Sequence, residues 1–369
     1  MTLSTCSSAP QEATSAPKPY LVYFGTGAEA IYVSEFDPAS GELSDPMMAA
    51  ELPRPNFVAI HPDGEHLYAA SRIENAAGEQ VSVAVAYSID RENGALTRLN
   101  EVDARGAGSC HLNVDATGKM LAIANYASGS VTAMTIGADG RLGEISGFVQ
   151  HEGSSVNPDR QQGPHAHSVN FSPDNRFVIA ADLGLDKVLV YRVAPQTGSI
   201  EANDPPGVSV APGGGPRHFT FHPNGRSAYV INEMASTVTA FDYDAAAGSF
   251  SELQTISTLP EDFDGASTTA EVLVHPSGKF LYGSNRGHDS IAVFTIGDDG
   301  KLTPVDRTSS GGVTPRNFRI GPEGKFLFAA NQKTNNVVLF QIDQDTGRLT
   351  AAGRELEMPN PMCVRFVKR

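Results

Sequence analysis

Five side chains suited to acid–base chemistry and anion binding occupy corresponding positions of a repeated sequence pattern. They are His167, Arg217, Glu233, Arg286 and Arg316. A carboxylate or an imidazole can act as a general base on water or on a carbon-bound proton, and burial that raises the pKa of Glu233 would suit it to this task. Arginine binds carboxylate or phosphate through paired hydrogen bonds and stabilises an oxyanion as it forms. Together these groups suit the hydrolysis or formation of a lactone on an anionic sugar or organic acid.

Other interpretations of these residues are open at this point. Arg217, Glu233 and Arg286 could form structural ion pairs, because such networks also concentrate charge. His165 and His167 stand two apart, as metal ligands on one face of a strand would, but no third ligand is evident and the nearby groups are cationic. The chain has no G-x-S-x-G motif, which argues against a serine esterase.

A repeat along the whole chain provides the elements that must position these residues. A glycine-containing turn between two β-rich runs occurs seven times, as in a series of hairpins. The copies are DPASGEL (37–43), DRENGAL (90–96), GADGRL (137–142), APQTGSI (194–200), DAAAGSF (244–250), GDDGKL (297–302) and DQDTGRL (343–349).

A second repeated unit joins one alternating strand to the next through a tight turn, as in FVAIHPDGEHLYAAS (57–71). Six full copies occur, and the missing halves are YLVYFGT (20–26) and NPMCVRFVKR (360–369) at the two ends. A period of about 46–57 residues suits four strands per blade. The sequence therefore predicts an all-β, seven-bladed β-propeller with four antiparallel strands per blade, closed by N- and C-terminal strands that share one blade. His61, His222 and His275 recur in the turn and are predicted to be structural.

Equivalent positions in different repeats of a propeller form rings around its central channel. Two rings are predicted to open at the same end of the channel. The first is Asn56, Cys110, His167, Arg217, Ala270, Arg316 and Met362, and the second is Arg72, Tyr126, Leu183, Glu233, Arg286 and Gln332. Loops longer than their counterparts, at 73–80, 150–163 and 257–268, are further candidates for function.

Composition restricts the class of protein. The formal net charge of −15 gives no basic surface for nucleic acid and disfavours anionic lipid. Cys6, Cys110 and Cys363 show no disulfide or zinc-binding pattern and are interpreted as reduced thiols. Residues 1–19 are predicted to be a disordered leader, and residues 20–369 a single domain. We predict a cytoplasmic monomer, with an export signal removed before this sequence begins as the alternative.

The chain resembles the seven-bladed lactonase family that includes propeller-type 6-phosphogluconolactonases and 3-carboxy-cis,cis-muconate lactonizing enzymes. The resemblance covers about residues 20–369. Its most specific segments are HEGSSVNPDRQQGPHAHSVNFSPD (151–174), GPRHFTFHPNGRSAYVINE (215–233), LYGSNR (281–286) and TPRNFRIGPEGKFLFAANQ (314–332).

The resemblance implies a catalytic site of His167, Arg217 and Glu233, with Arg286 and Arg316 as anion-binding residues. It implies neither a metal nor an organic cofactor. Glu233 or His167 would activate water while Arg217 polarises the lactone carbonyl. Further substrate-binding residues are predicted at His165 and Gln332.

The preferred interpretation is an enzyme of carbohydrate metabolism, in the pentose phosphate pathway, that hydrolyses 6-phosphogluconolactone to 6-phosphogluconate. Two alternatives stay open. A muconate-type cycloisomerase would move a carbon-bound proton with the same acid–base pair, and would incorporate solvent deuterium into its lactone product. A non-catalytic propeller would bind a ligand or a protein partner, since fold does not determine function.

Overall fold

The computed structural model of the protein describes residues 20–75 and 77–369, so the predicted leader at residues 1–19 lies outside the described residues. Within these ranges the chain forms 28 strands in seven antiparallel four-stranded sheets. The strands are short and bounded by glycine-containing turns, as the repeat predicts. The seven-bladed β-propeller is confirmed.

The blades are numbered from the N-terminus. Blade 1 contains β28 (Pro361–Lys368), β1 (Tyr20–Thr26), β2 (Ala30–Phe36) and β3 (Met47–Glu51). Blade 2 contains β4 (Phe57–Ile60), β5 (His66–Glu74), β6 (Gln80–Ile89) and β7 (Leu96–Asp103). Blade 3 contains β8 (Ser109–Val114), β9 (Met120–Asn125), β10 (Ser130–Ile136) and β11 (Leu142–Gln150). Blade 4 contains β12 (Ala166–Phe171), β13 (Phe177–Asp182), β14 (Lys187–Ala194) and β15 (Ser199–Ser209).

Blade 5 contains β16 (Pro216–Phe221), β17 (Ser227–Asn232), β18 (Thr237–Asp244) and β19 (Ser249–Ser257). Blade 6 contains β20 (Thr268–Val274), β21 (Phe280–Arg286), β22 (Ser290–Ile296) and β23 (Leu302–Ser309). Blade 7 contains β24 (Pro315–Ile320), β25 (Phe326–Asn331), β26 (Asn336–Ile342) and β27 (Leu349–Glu357). A single 3₁₀ turn, Pro322–Gly324, is the helical element of the described chain.

The two ends of the described chain meet in blade 1. Strand β28 pairs antiparallel with β1, in a register that places Tyr23 opposite Arg365 and Gly25 opposite Cys363. This pairing closes the ring as predicted. The first strand of each repeat lies innermost, and β28, β4, β8, β12, β16, β20 and β24 contact one another in sequence around the channel.

Apolar side chains fill the spaces between neighbouring blades, and repeated hydrogen bonds connect the same surfaces. The Nε2 atoms of His61, His222 and His275 lie 2.8 Å from the carbonyl oxygens of Gly118, Gly278 and Gly324 in the following blades. A tyrosine on the second strand of several blades donates similarly to a glycine carbonyl of the next outer turn, as Tyr229 does to Gly300 at 3.0 Å. These contacts support the structural role predicted for the three histidines.

None of the described residues belongs to a helix that could cross a membrane.

Candidate active site

Both predicted rings contribute to one cavity of about 400 Å³ at one end of the channel, which we call the front mouth. The first ring lies at the start of each inner strand, and the second ring lies at the end of the strand that pairs antiparallel with it. Both rings are therefore at the same end of the channel. The lining residues include Asn56, Arg72, Cys110, Tyr126, His167, Glu233, Arg286, Arg316 and Met362, together with Arg54 and Arg160.

Glu233 is the centre of an ion-pair cluster in the front mouth. Its Oε2 atom lies 2.9 Å from Arg217 Nε and 2.9 Å from Arg286 Nη2, and its Oε1 atom lies 2.8 Å from Arg160 Nη2. The Nε2 atom of His167 is 4.0 Å from Oε2. The pairing between Glu233 and Arg286 joins blades 5 and 6, so the structural ion pair considered from the sequence is present.

The backbone holds Glu233 directly after β17. Its N–H donates to the carbonyl oxygen of Gly215 at 2.7 Å, across the hairpin from the strand that carries Arg217. Gly215 has a φ of +68°, and a Cβ atom there would lie 2.9 Å from Met234 Cγ. Only glycine adopts this conformation readily and leaves room for the neighbouring side chain. The run APGGGP before β16 therefore shapes the local backbone that positions Glu233.

Electrostatics set the protonation states of the two candidate bases. Burial alone would raise the pKa of Glu233, but Arg286 and Arg217 outweigh it and lower the pKa to about 2. The raised pKa that would suit Glu233 to a general base is therefore not found. Burial, followed by the charge of Arg217, lowers the pKa of His167 well below its usual value. At neutral pH the site thus holds an ionised Glu233 beside a neutral His167.

Positive charge exceeds negative charge around this cavity. Five arginines and one carboxylate line it. Within residues 20–75 and 77–369, the guanidinium of Arg316 has no carboxylate at ion-pair distance. The buried Nε of Arg286 also lacks a hydrogen-bond partner in the described chain. Burial and the nearby Arg217 lower the pKa of Arg286 to about 10. A desolvated excess of guanidinium groups is unfavourable until an anion enters.

Arg160 is a site residue that was not predicted from the sequence. It lies on the long loop at 150–163. Besides pairing with Glu233, its Nη2 donates to the hydroxyl oxygen of Tyr126 at 3.2 Å. The adjacent Gln161 is buried and donates from Nε2 to the carbonyl oxygen of Leu183 at 2.8 Å. This contact anchors the loop so that Arg160 reaches over the cavity. Loop length was the available signal, although it could not identify the residue.

Three of the predicted site residues lie outside the lining of the front mouth. Arg217 is buried beneath it, and its Nη1 donates to the carbonyl oxygen of Ala270 at 2.8 Å. His165 precedes β12 and stacks on the Tyr126 ring with a centroid separation of 4.5 Å. Gln332 donates to Asn360 Oδ1 at 2.9 Å. Arg217 and His165 therefore contact residues that face the cavity, and the roles predicted for all three stay predictions.

Cys110 lies beside His167, with its Sγ atom 3.8 Å from the Nδ1 atom of the imidazole. Burial raises the pKa of this thiol to about 12. The thiol is therefore protonated at neutral pH and is a poor nucleophile. Cys110 is thus a polar neighbour of the imidazole.

Acid should weaken the fold through Glu233. A carboxyl group whose folded pKa is about 2 rather than 4.5 stabilises the native state above pH 4.5, and this contribution is lost as the pH falls toward 2. The difference corresponds to about 3 kcal/mol. We expect Glu233→Gln to lower the free energy of unfolding by about this amount at pH 7, and by less than half as much at pH 3. Denaturant titrations at the two pH values measure the difference.

The exposed Glu144 provides the matched control for this comparison. Glu144→Gln removes the same charge from the protein surface, so we expect little change in stability at either pH. A loss of stability in Glu233→Gln that is equal at pH 7 and pH 3 would contradict the ionisation assigned to Glu233.

Comparison with known proteins places the chain among lactonases. A family model described as "Lactonase, 7-bladed beta-propeller" matches residues 21–366. The chain is 38% identical to the 6-phosphogluconolactonase of Bacillus subtilis (strain 168), over 94% of this chain and 98% of the relative.

Solved structures agree with this relationship. A putative 6-phosphogluconolactonase from Bacteroides fragilis superposes with a TM-score of 0.88 at 32% identity, covering 96% of this chain and 100% of that one. The periplasmic gluconolactonase PpgL of Pseudomonas aeruginosa has a TM-score of 0.88 at 33% identity, covering 95% and 99% of the two chains. The protein therefore belongs to the seven-bladed β-propeller lactonase family.

Proposed function

We propose that this protein hydrolyses 6-phosphogluconolactone to 6-phosphogluconate. The observation that carries the proposal is the arginine-rich front mouth, where five arginines face a single carboxylate in a chain of net charge −15. Such a site favours an anionic substrate. The names of the Bacillus and Bacteroides relatives point to the same phosphorylated lactone.

In the proposed reaction His167 acts as the general base. It removes a proton from water, whose oxygen attacks the lactone carbonyl carbon. The bond from that carbon to the ring oxygen then breaks. His167 donates the proton that it took from water to the ring oxygen, which becomes a hydroxyl group. Burial is the first cause of the lowered pKa of His167, and the charges of Arg217 and Arg316 add to it. Entry of an anionic substrate offsets the arginine charges, so binding makes the imidazole a better proton acceptor.

The remaining groups bind the substrate and stabilise charge. Arg316 and the guanidinium of Arg286 bind the phosphate, and Arg160 lies over the bound lactone. The carboxylate of Glu233, 4.0 Å from His167, stabilises the imidazolium that forms during the reaction. Arg217 orients Glu233 through its 2.9 Å contact. We retain His165 and Gln332 as supporting residues that hold Tyr126 and Asn360 at the edge of the site.

Turnover of the lactone tests the proposal directly. We expect the protein to raise the rate of 6-phosphogluconolactone hydrolysis well above the spontaneous rate, measured by coupling to 6-phosphogluconate dehydrogenase. We expect kcat/KM for glucono-1,5-lactone, which lacks the phosphate, to be about 10- to 100-fold lower, because charge-assisted hydrogen bonds are worth about 1.5–3 kcal/mol.

The unphosphorylated lactone is also the comparison that the name of the Pseudomonas relative suggests. Equal kcat/KM for the two lactones would contradict a phosphate-binding role for the arginines. Acceleration of neither lactone would refute the proposed function.

We also propose that the enzyme works in the cytoplasm as a monomer, without a nucleic-acid or membrane partner. The acidic net charge disfavours nucleic acid and anionic lipid, and the closed ring of blades favours the monomer. The free thiols of Cys110 and Cys363 are consistent with a reducing compartment. Light scattering coupled to size-exclusion chromatography tests the monomer, and cell fractionation tests the location.

A further inference from the structure

A second polar cavity, of about 440 Å³, lies at the other end of the channel. Its walls contain the side chains of His111, His218, Glu271, Arg319 and Arg365, and we call this cavity the back pocket. None of these five residues lines the front mouth. The proposed lactonase reaction therefore leaves the back pocket without a role.

The same inner strands supply residues to both ends of the channel. Strand β24 carries Arg316 at the front mouth and Arg319 at the back pocket, and β28 carries Met362 and Arg365 in the same way. The two residues on each strand are three positions apart, so their backbones are separated by about 10 Å along the channel.

Aromatic rings lie between the two cavities. The ring centroids of Phe57 and His111 are 4.2 Å apart, and those of His111 and His218 are 5.2 Å apart. These residues directly follow Asn56, Cys110 and Arg217 of the front ring in sequence. The two cavities are therefore separate sites that share one set of strands.

The single buried carboxylate of the back pocket is already engaged. Glu271 Oε1 lies 2.9 Å from the Nδ1 atom of His218 and accepts from the backbone N–H of Val272 at 3.0 Å, while Oε2 accepts from the side-chain amide of Asn317. The other acidic residue of the pocket, Glu323, is exposed and pairs with Lys325 at 2.9 Å. Neither carboxylate lies at ion-pair distance from the two arginines.

Arg319 is a charged group of this pocket whose guanidinium is open to the cavity. In the part of the chain that the structure describes, its guanidinium has no ion-pair partner and makes no hydrogen bond. Burial, together with the charge of Arg365, lowers its pKa to about 10. Arg365 itself donates to the carbonyl oxygen of Val364 at 2.7 Å and lies over the Phe57 ring at 4.6 Å. Two guanidinium groups thus face one cavity whose buried carboxylate, Glu271, lies beyond ion-pair distance of both.

We propose that the back pocket is a second anion-binding site, for a small molecule with a carboxylate or phosphate group held by Arg319 and Arg365. The planar guanidinium of Arg319 has its donors available for a paired contact with either group. His111 and Asn113 provide further polar atoms at the wall. A cavity of about 440 Å³ is within the range that holds a small organic ligand.

Anion titrations test this site separately from the front mouth. The starting protein carries Arg316→Gln, which weakens the front mouth, and isothermal titration calorimetry follows binding of inorganic phosphate and, separately, of succinate. We expect at least one of the two anions to bind, and Arg319→Gln on this background to weaken that binding about 10-fold or more. The preferred anion distinguishes a phosphate ligand from a carboxylate ligand.

The exposed Arg226 provides the matched control for loss of one positive charge. We expect Arg226→Gln to leave the affinity for the anion unchanged.

Stability measurements distinguish a binding role from a structural one. If Arg319 serves a ligand, removing its unpaired charge should leave the Tm in anion-poor buffer unchanged or higher, and should abolish the rise in Tm that the bound anion produces. Soaking wild-type crystals in selenate should give an anomalous peak between Arg319 and Arg365 that Arg319→Gln lacks. Absence of phosphate and succinate binding, or equal affinity with and without Arg319, would overturn the proposal.

Discussion

We expect His167→Gln to lower kcat for lactone hydrolysis by about 10²- to 10⁴-fold, the usual contribution of a general base. The imidazole is buried at the wall of the front mouth and is neutral at neutral pH, so it can accept a proton from water. Glutamine keeps a side chain of similar size and its hydrogen-bonding capacity, but it cannot take up the proton. Steady-state kinetics on 6-phosphogluconolactone, corrected for spontaneous hydrolysis, measure the effect.

His222→Gln is the matched control for this variant. His222 contacts the carbonyl oxygen of Gly278 between blades and lies away from the front mouth. We expect this control to alter stability but to keep kcat within a few-fold of the wild type. If His167→Gln retained wild-type kcat while folding normally, the base would have to be another group, and Glu233 would be the next candidate.

Arg316→Gln should produce the second large effect, on the selection of substrate. We expect kcat/KM for 6-phosphogluconolactone to fall about 10- to 100-fold, because a charge-assisted contact to the phosphate is lost. For unphosphorylated glucono-1,5-lactone we expect only a small change. Arg316 suits this experiment better than Arg286, because Arg286 pairs with Glu233 and its removal would leave that buried carboxylate with one partner fewer. Arg316 has no carboxylate partner in the described chain.

An arginine far from the site controls for the change in net charge. Arg141 lies on an outer turn, where half of its side chain is exposed, and Arg141→Gln should leave the kinetics of both lactones unchanged. An equal loss of kcat/KM on both lactones in Arg316→Gln would place Arg316 at the reacting carbonyl rather than at the phosphate. Unchanged kinetics on both would remove it from the site.

The ion pairs and the proposed active site are the same cluster of residues. Glu233 joins blades 5 and 6 through Arg286, and this contact contributes to stability. A purely structural network would balance its charges, however, because an unpaired buried charge is costly. The excess of arginine over carboxylate around the front mouth favours a binding function in addition to the structural one.

The repeat in the sequence determined the fold. Seven glycine-containing turns and six copies of the strand–turn–strand unit leave half a repeat at each end, and joining the halves is the arrangement that closes a ring. The same register predicted the two rings of residues, because equivalent positions in a symmetric fold lie at the same height along the channel. The spacing of the repeat is therefore sufficient to group His167, Glu233, Arg286 and Arg316 at one end of the channel.

Only the tertiary structure decided how these residues act. Arg160 reaches the site from an irregular loop, whose path depends on the burial of Gln161 and which no repeat could predict. The pKa of Glu233 depends on three guanidinium groups within 3 Å, and this proximity reverses the effect that burial alone would have. The lack of a partner for Arg319 likewise depends on which side chains the neighbouring blades bring to the back pocket. Local sequence determined the strands and turns because they depend on short-range patterns, whereas charge balance and protonation depend on distances between blades.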